Sequence, residues 1–186
     1  MTNPGFMGEQ FATQTTSPKV MLSADQIAVR IKELAAKINK DYEGKPILVL
    51  GTLTGSVIFL ADLVRELTVD VQIDFIKVSS YGDTMESTRQ IKEEYMPTWN
   101  LAGQHVVIIE DIVDTGHTAA YLRNYLADKN TASVVMCTLL DKPERREVLN
   151  LHCEYVGFTI PNAFVVGYGL DFNQKYRQLP YIGVIE

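Results

Sequence analysis

Cysteine is scarce in this chain: Cys137 and Cys153 are the only two in 186 residues. The three histidines, His105, His117 and His152, stand apart from them and from each other. Neither a metal-ligand spacing nor a disulfide framework results, and a reducing, cytoplasmic setting fits. Positive charge is also in short supply, with 17 Lys and Arg against 23 Asp and Glu and a formal net charge of −6. That balance argues against a nucleic-acid protein, which needs a basic face. Arg145-Arg146 is the only tight basic pair. No apolar run approaches the ~20 residues of a membrane span. Residues 1–18 lack a signal peptide's basic-then-apolar layout and read as a loose tail. Repeats and low-complexity segments are absent too. What is present is 46% hydrophobic and 22% charged, the composition of one soluble domain over residues 19–186.

Short apolar runs alternate with helical stripes. Ser23 heads a helix whose apolar positions are Ile27, Ile31, Leu34, Ala35 and Ile38. "PILVLG" (46–51) is a strand, and "SVIFLADLVREL" a helix with Val57, Leu60, Ala61, Val64 and Leu67 on one face. "VDVQIDFIKVSS" alternates like a half-buried strand. Residues 79–104 carry no clear pattern. "HVVIIE", the helix "HTAAYLRNYLADK" and "ASVVMCTLL" follow, and three short strands close the chain. The order predicts an α/β fold: a mostly parallel twisted sheet flanked by helices. Ligands of such sheets bind beyond the carboxyl ends of the strands, which singles out residues 51–56, 79–82 and 110–118.

The third of these, "VVIIEDIVDTGHTAA" (106–120), is the most informative. A buried strand runs into Glu110 and Asp111, and a polar turn follows with Asp114, Thr115, Gly116 and Thr118. One acid at such a place is an ordinary helix cap. Three acids with Thr-Gly-x-Thr exceed what capping requires. Backbone N–H groups at a helix start, with two hydroxyls, can wrap a phosphate. Glu110 and Asp111 would then face sugar hydroxyls or a magnesium ion. Other phosphate signatures fail: "GTLTGS" lacks the Gly-Lys-Ser/Thr ending of a P-loop, and no G-x-G-x-x-G follows a strand.

This run resembles the phosphoribosyl-pyrophosphate motif of type I phosphoribosyltransferases. With "LTGSVIFLADLVREL", "DFIKVSSYG", "STRQIK" and "LLDKPERR…VGFTIPNAFVVGYGLDFNQKYRQLPYIGV", it is similar to the hypoxanthine(-guanine) branch over residues 20 to 185. The resemblance implies a small C-terminal hood, mainly from residues 153–186 plus the N-terminal segment. It implies a purine-salvage transferase that joins N9 of hypoxanthine or guanine to C1 of phosphoribosyl pyrophosphate, giving IMP or GMP and pyrophosphate with Mg²⁺. On matching positions, Glu110 and Asp111 hold the ribose hydroxyls. Asp114 is the general acid/base at purine N7, and Asp114, Thr115, Gly116, His117 and Thr118 cradle the 5′-phosphate. Lys142 meets the purine 6-oxo group, Phe164 stacks on the ring and Val165 offers backbone to its edge. Leu53, Thr54, Gly55 and Arg177 take pyrophosphate, while Ser80 and Tyr81 begin a lid over residues 80 to about 100. Mg²⁺ falls to Glu110, Asp111 and Asp171. Homodimers or homotetramers are the family habit.

One departure stands out. Position 54 is Thr, where the family often carries Lys or Arg and places a non-proline cis peptide, here Leu53–Thr54. Two other functions compete. A xanthine-guanine enzyme differs only in backbone geometry near Val165 and Asp171. A nucleic-acid-binding regulator on the same fold would need a basic surface that this acidic chain lacks.

Overall fold

The computed structural model describes residues 17–81, 90–97 and 99–185, without the side chains of residues 79–81 and 90. Most of the tail, residues 1–16, and the central part of the expected lid, residues 82–89, lie outside the described residues.

Five parallel strands and one antiparallel edge strand form the main sheet, in the order β4-β3-β2-β5-β6-β7. They are β2 (Ile47–Thr52), β3 (Val71–Tyr81), β4 (Gln90–Tyr95), β5 (His105–Val113), β6 (Ser133–Asp141) and β7 (Tyr155–Thr159). Strand β5 is buried on both faces, so it reads as an unbroken apolar run. Its side chains still alternate between two cores: Val107 and Ile109 join one cluster, Val106 and Ile108 the other.

The first cluster takes α1 (Ala24–Asp41) and α2 (Val57–Glu66), the second α3 (His117–Ala127). Helix α1 starts at a complete capping box between Ser23 and Gln26, and its buried residues are the five predicted ones. Helix α2 is rotated from expectation. It buries Phe59, Leu60 and Leu63, while Ala61 is exposed. Helix α3 buries Ala119, Leu122 and Leu126 rather than Ala120 and Tyr125.

The patternless stretch also differs from expectation. Residues 90–95 are strand β4, paired antiparallel with the end of β3. "QIKEEY" hides because an edge strand needs few apolar residues and gains from charge. A second sheet, β1-β9-β8, joins β1 (Lys19–Leu22) to β9 (Ile182–Val184) and β8 (Val165–Val166). Pro18, expected in the tail, is buried against Gly183 beside it.

The chain leaves β2 for β3 on one side and places β5 on the other. The crevice between β2 and β5 is therefore the topological switch point, where open α/β sheets bind ligands.

Candidate active site

The turn after β2 enters that crevice first. Leu53–Thr54 is a cis peptide, as the resemblance implied. Ser56 turns its hydroxyl back onto the Thr52 carbonyl at 2.7 Å. Gly55 is where three segments meet. A Cβ there would fall 1.6 Å from Asp111 Oδ2, and one at Gly169 would fall 2.0 Å from the Gly55 carbonyl. A side chain at Gly169 would meet backbone, and one at Gly55 would have to move the Asp111 carboxylate.

Across the crevice, β5 ends in the acid pair. Glu110 is buried; Thr52 donates its hydroxyl to Oε2 at 2.6 Å, and Oε1 has no partner among the described residues. Burial, then the neighbouring Asp111 charge, pushes the Glu110 carboxyl up to about 8. Asp111 accepts from the Ile112 N–H at 2.9 Å. Burial also raises its carboxyl, to about 6, despite that bond and the nearby Arg177 cation. Once ionised, two buried carboxyls side by side need partners that donate hydrogen bonds or carry positive charge.

The turn 114–116 links β5 to α3. Gly116 is the helix N-cap with φ +91°, a left-handed conformation that favours glycine, and no side chain caps the helix. The capping role open to Asp111 or Asp114 is thus not taken. The first N–H groups of α3 have no intrahelical acceptor. Residues 110–116 with Thr118 and Ala119 enclose a cavity of about 210 Å³. That is below the roughly 300–1,000 Å³ of a site for a whole drug-sized ligand, and of a size for a phosphate with part of a sugar. His117 Nε2 lies 2.9 Å from Glu147 Oε2 rather than turning inward to the cavity. Asp114 Oδ1 is 3.2 Å from Arg145 Nε, an ion-pair distance without hydrogen-bonding alignment.

Lys142 follows β6 and is buried, its Nζ donating to the Ala163 carbonyl at 2.6 Å. Burial lowers its basicity, the Asp114 charge opposing and the Arg145 charge adding to that. A solvated lysine after a strand would be exposed; this one is held beside the cavity strand by its own N–H on the Val113 carbonyl, 3.0 Å. Phe164, which pattern alone would put in the core, is 54% exposed. Its ring stands at 84° to that of Phe172 with centroids 5.5 Å apart. Val165 is buried in β8. Asp171 Oδ2 accepts from the Gln174 N–H, and Oδ1 pairs with Arg177 at 2.7 Å. Arg177 also donates to the Gly169 carbonyl at 2.7 Å, so the pair locks the loop that packs on Gly55.

Of the three acids that the resemblance assigns to Mg²⁺, Glu110 accepts from the Thr52 hydroxyl and Asp171 pairs with Arg177 in this ligand-free chain. Ser80 and Tyr81 end β3, but their side chains lie outside the description. Arg146, Asp141 and Thr52 brace the site without having been expected there. The adjacent arginines were the visible signal.

The site is thus an acid pair and an uncapped helix start at the switch point of an open α/β sheet, the place where such sheets bind their ligands. The chain belongs to the phosphoribosyl transferase domain family, whose model matches residues 21–173. It is 45% identical over 168 residues to a hypoxanthine-guanine phosphoribosyltransferase of Streptococcus pneumoniae, covering 90% of this chain and 93% of that one. The hypoxanthine phosphoribosyltransferase of Escherichia coli is 44% identical over 169 residues, covering 90% and 94%. A crystal structure of a hypoxanthine-guanine phosphoribosyltransferase from Bacillus anthracis superposes with a TM-score of 0.86 at 44% identity, covering 90% of this chain and 98% of that one.

Proposed function

We propose that this protein is a purine-salvage enzyme transferring the phosphoribosyl group of phosphoribosyl pyrophosphate to N9 of hypoxanthine and/or guanine. The observation that supports this is one cavity lined by Glu110, Asp111, Asp114, Thr115, Gly116 and Thr118, with buried Lys142 hydrogen-bonded through its N–H to Val113 of the strand that carries the acid pair. Relatives of 41–45% identity bearing hypoxanthine or hypoxanthine-guanine names support it.

Displacement at an anomeric carbon develops positive charge on the ring, so the residues must orient and stabilise rather than attack. Glu110 and Asp111 accept from the ribose hydroxyls as carboxylates, the ionised form that a bound cation would favour. The N–H groups and hydroxyls of 115–118 hold the 5′-phosphate. Asp114 takes the purine N7 proton as N9 bonds to C1 and pyrophosphate leaves, and it returns that proton only in the reverse reaction. Lys142 donates to the 6-oxo oxygen, and Phe164 offers a ring face to the purine, with Val165 backbone at its edge. Leu53, Thr54 and Gly55 present backbone to pyrophosphate beside Arg177.

The donor set fits Mg²⁺ shared with substrate. The ion usually takes one or two carboxylates plus substrate phosphates, and Asp111, Asp171 and the unpartnered Glu110 Oε1 are hard oxygen donors of that kind. Bound there, it would neutralise the pyrophosphate leaving group. We read the β1-β9-β8 sheet as the hood over the base, residues 19–186 as one domain, the setting as cytoplasmic and the assembly as a homodimer or homotetramer. No helix among the described residues is long and apolar enough to cross a membrane.

The test is an assay with phosphoribosyl pyrophosphate, Mg²⁺ and each of hypoxanthine, guanine, xanthine and adenine. Nucleotide should form from the first two. Turnover of xanthine alone, or of none, would sink this reading.

A further inference from the structure

The one tight basic pair of the sequence, Arg145-Arg146, has no part in the roles above, yet both arginines reach the 114–116 turn. Arg146 spans two acceptors. Its Nε donates to the Asp114 carbonyl at 3.1 Å, and its far nitrogen pairs with the Asp141 carboxylate. Both side chains of that pair are mostly withdrawn from solvent, at 15% and 19% exposure, so this is not a loose surface contact. The next two residues continue the same grip: the N–H groups of Glu147 and Val148 donate to the Thr115 carbonyl at 2.9 and 3.2 Å. Gly116 closes the contact, since a Cβ there would lie 2.9 Å from Arg146 Cδ.

Peptide planarity turns these bonds into an orientation. In a trans peptide the C=O and the following N–H point in opposite directions. Holding the Asp114 carbonyl therefore aims the Thr115 N–H the other way, and holding the Thr115 carbonyl does the same for Gly116 N–H. Residues 145–148 do not line the cavity, whereas Asp114, Thr115 and Gly116 do. With both carbonyls drawn to the 145–148 segment, both N–H groups face the cavity side.

We propose that Arg146 is a positioning residue for anion binding. Anchored by Asp141, it sets the Asp114–Thr115 peptide so that the turn presents its N–H groups to the sugar phosphate. A lysine could reach one acceptor but not both, because only the planar guanidinium fork matches two acceptors at once. This rests on the reading of 114–118 as a phosphate cradle, and it adds a residue that touches no substrate.

Ribose 5-phosphate binding, followed by calorimetry on the intact protein, tests it directly. Arg146→Gln should weaken that binding roughly tenfold, the worth of one well-aimed hydrogen bond to a charged group. Arg146→Lys should fall between Gln and wild type, and Asp141→Asn should weaken binding in the same direction. In the assay, KM for phosphoribosyl pyrophosphate should rise while KM for hypoxanthine holds. A merely structural ion pair would instead lower the melting temperature and raise both KM values together, and that result overturns the proposal. Wild-type affinity for ribose 5-phosphate in Arg146→Lys and Asp141→Asn together would also overturn it. Failure of the wild type to bind ribose 5-phosphate at all would sink the cradle reading beneath it, an outcome distinct from loss in the variants alone.

Discussion

Gly55 and Asp111 approach so closely across the β2–β5 crevice that a Cβ on the glycine would lie 1.6 Å from the carboxylate oxygen. The space belongs either to a methyl group or to the acid, not both. Gly55→Ala must swing Asp111 off its 2.9 Å bond to the Ile112 N–H or displace the turn. Turnover should drop at least tenfold, with a stability loss of about 1–3 kcal/mol typical of overpacking. Melting curves and initial rates check this, and an alanine variant with wild-type kinetics would mean that Asp111 has no role in its observed place.

In the proposed reaction Asp114 carries the proton transfer. Asp114→Asn keeps the shape and removes the proton acceptor, so turnover should fall by about 10²–10⁴-fold with folding intact. Wild-type turnover in a folded Asn variant would remove Asp114 from the mechanism.

Lys142 is buried on the Ala163 carbonyl. Lys142→Ala should raise KM for hypoxanthine and guanine about tenfold or more, given ~1.5–3 kcal/mol for a charged donor. KM for phosphoribosyl pyrophosphate should change far less. Equal effects on both would assign the lysine to structure alone. Adenine should remain a poor substrate, because its 6-amino group offers the lysine a donor rather than an acceptor.

Stability should depend on pH through the acid pair. Glu110 and Asp111 titrate near 8 and 6 in the folded chain, above their ordinary values of 4.5 and 3.8. The folded state therefore holds protons that the unfolded state has released. Stability from this source is complete below about pH 4 and is lost as pH rises toward 8. At about 1.4 kcal/mol per unit, shifts of this size make the loss roughly 5–10 kcal/mol. Ligand-free melting temperature should fall between pH 5 and 8, and Glu110→Gln should flatten the slope. An identical slope in that variant would show that Glu110 does not titrate in this window.

Binding to nucleic acid at physiological salt is not expected. The net charge is −6, and the pair Arg145-Arg146 is already committed to Asp114 and Asp141. Without clustered free cations there is little counterion release to drive association. A salt-sensitive, sub-micromolar gel shift on duplex DNA or structured RNA would contradict this.

The amphipathic stripe of α1 and the apolar run of β5 were legible because local periodicity alone decides which face is buried. The 110–118 motif was legible as a family signature, since its residues are contiguous and lie within the span that the family model matches. Strand β4 was not: an edge strand of charged residues is defined by its partner β3, and its own composition carries no signal. The faces of α2 and α3 shifted for a related reason. A helix settles against whichever neighbours the sheet supplies, and Phe59, Leu63 and Ala119 won the contact.

The amino-acid order by itself determined the alternating strands and helices, the polar turn after β5 and the acids that face it. Tertiary structure alone decided what those acids meet. Segments far apart in sequence bring Gly55 and Gly169 to the Asp111 crevice, Thr52 to Glu110 and Arg146 to the Asp114 carbonyl. Those contacts follow from strand order and loop packing, and no local propensity encodes them. The unusual titration of Glu110 has the same origin, because burial is a property of the packed sheet and not of the residue.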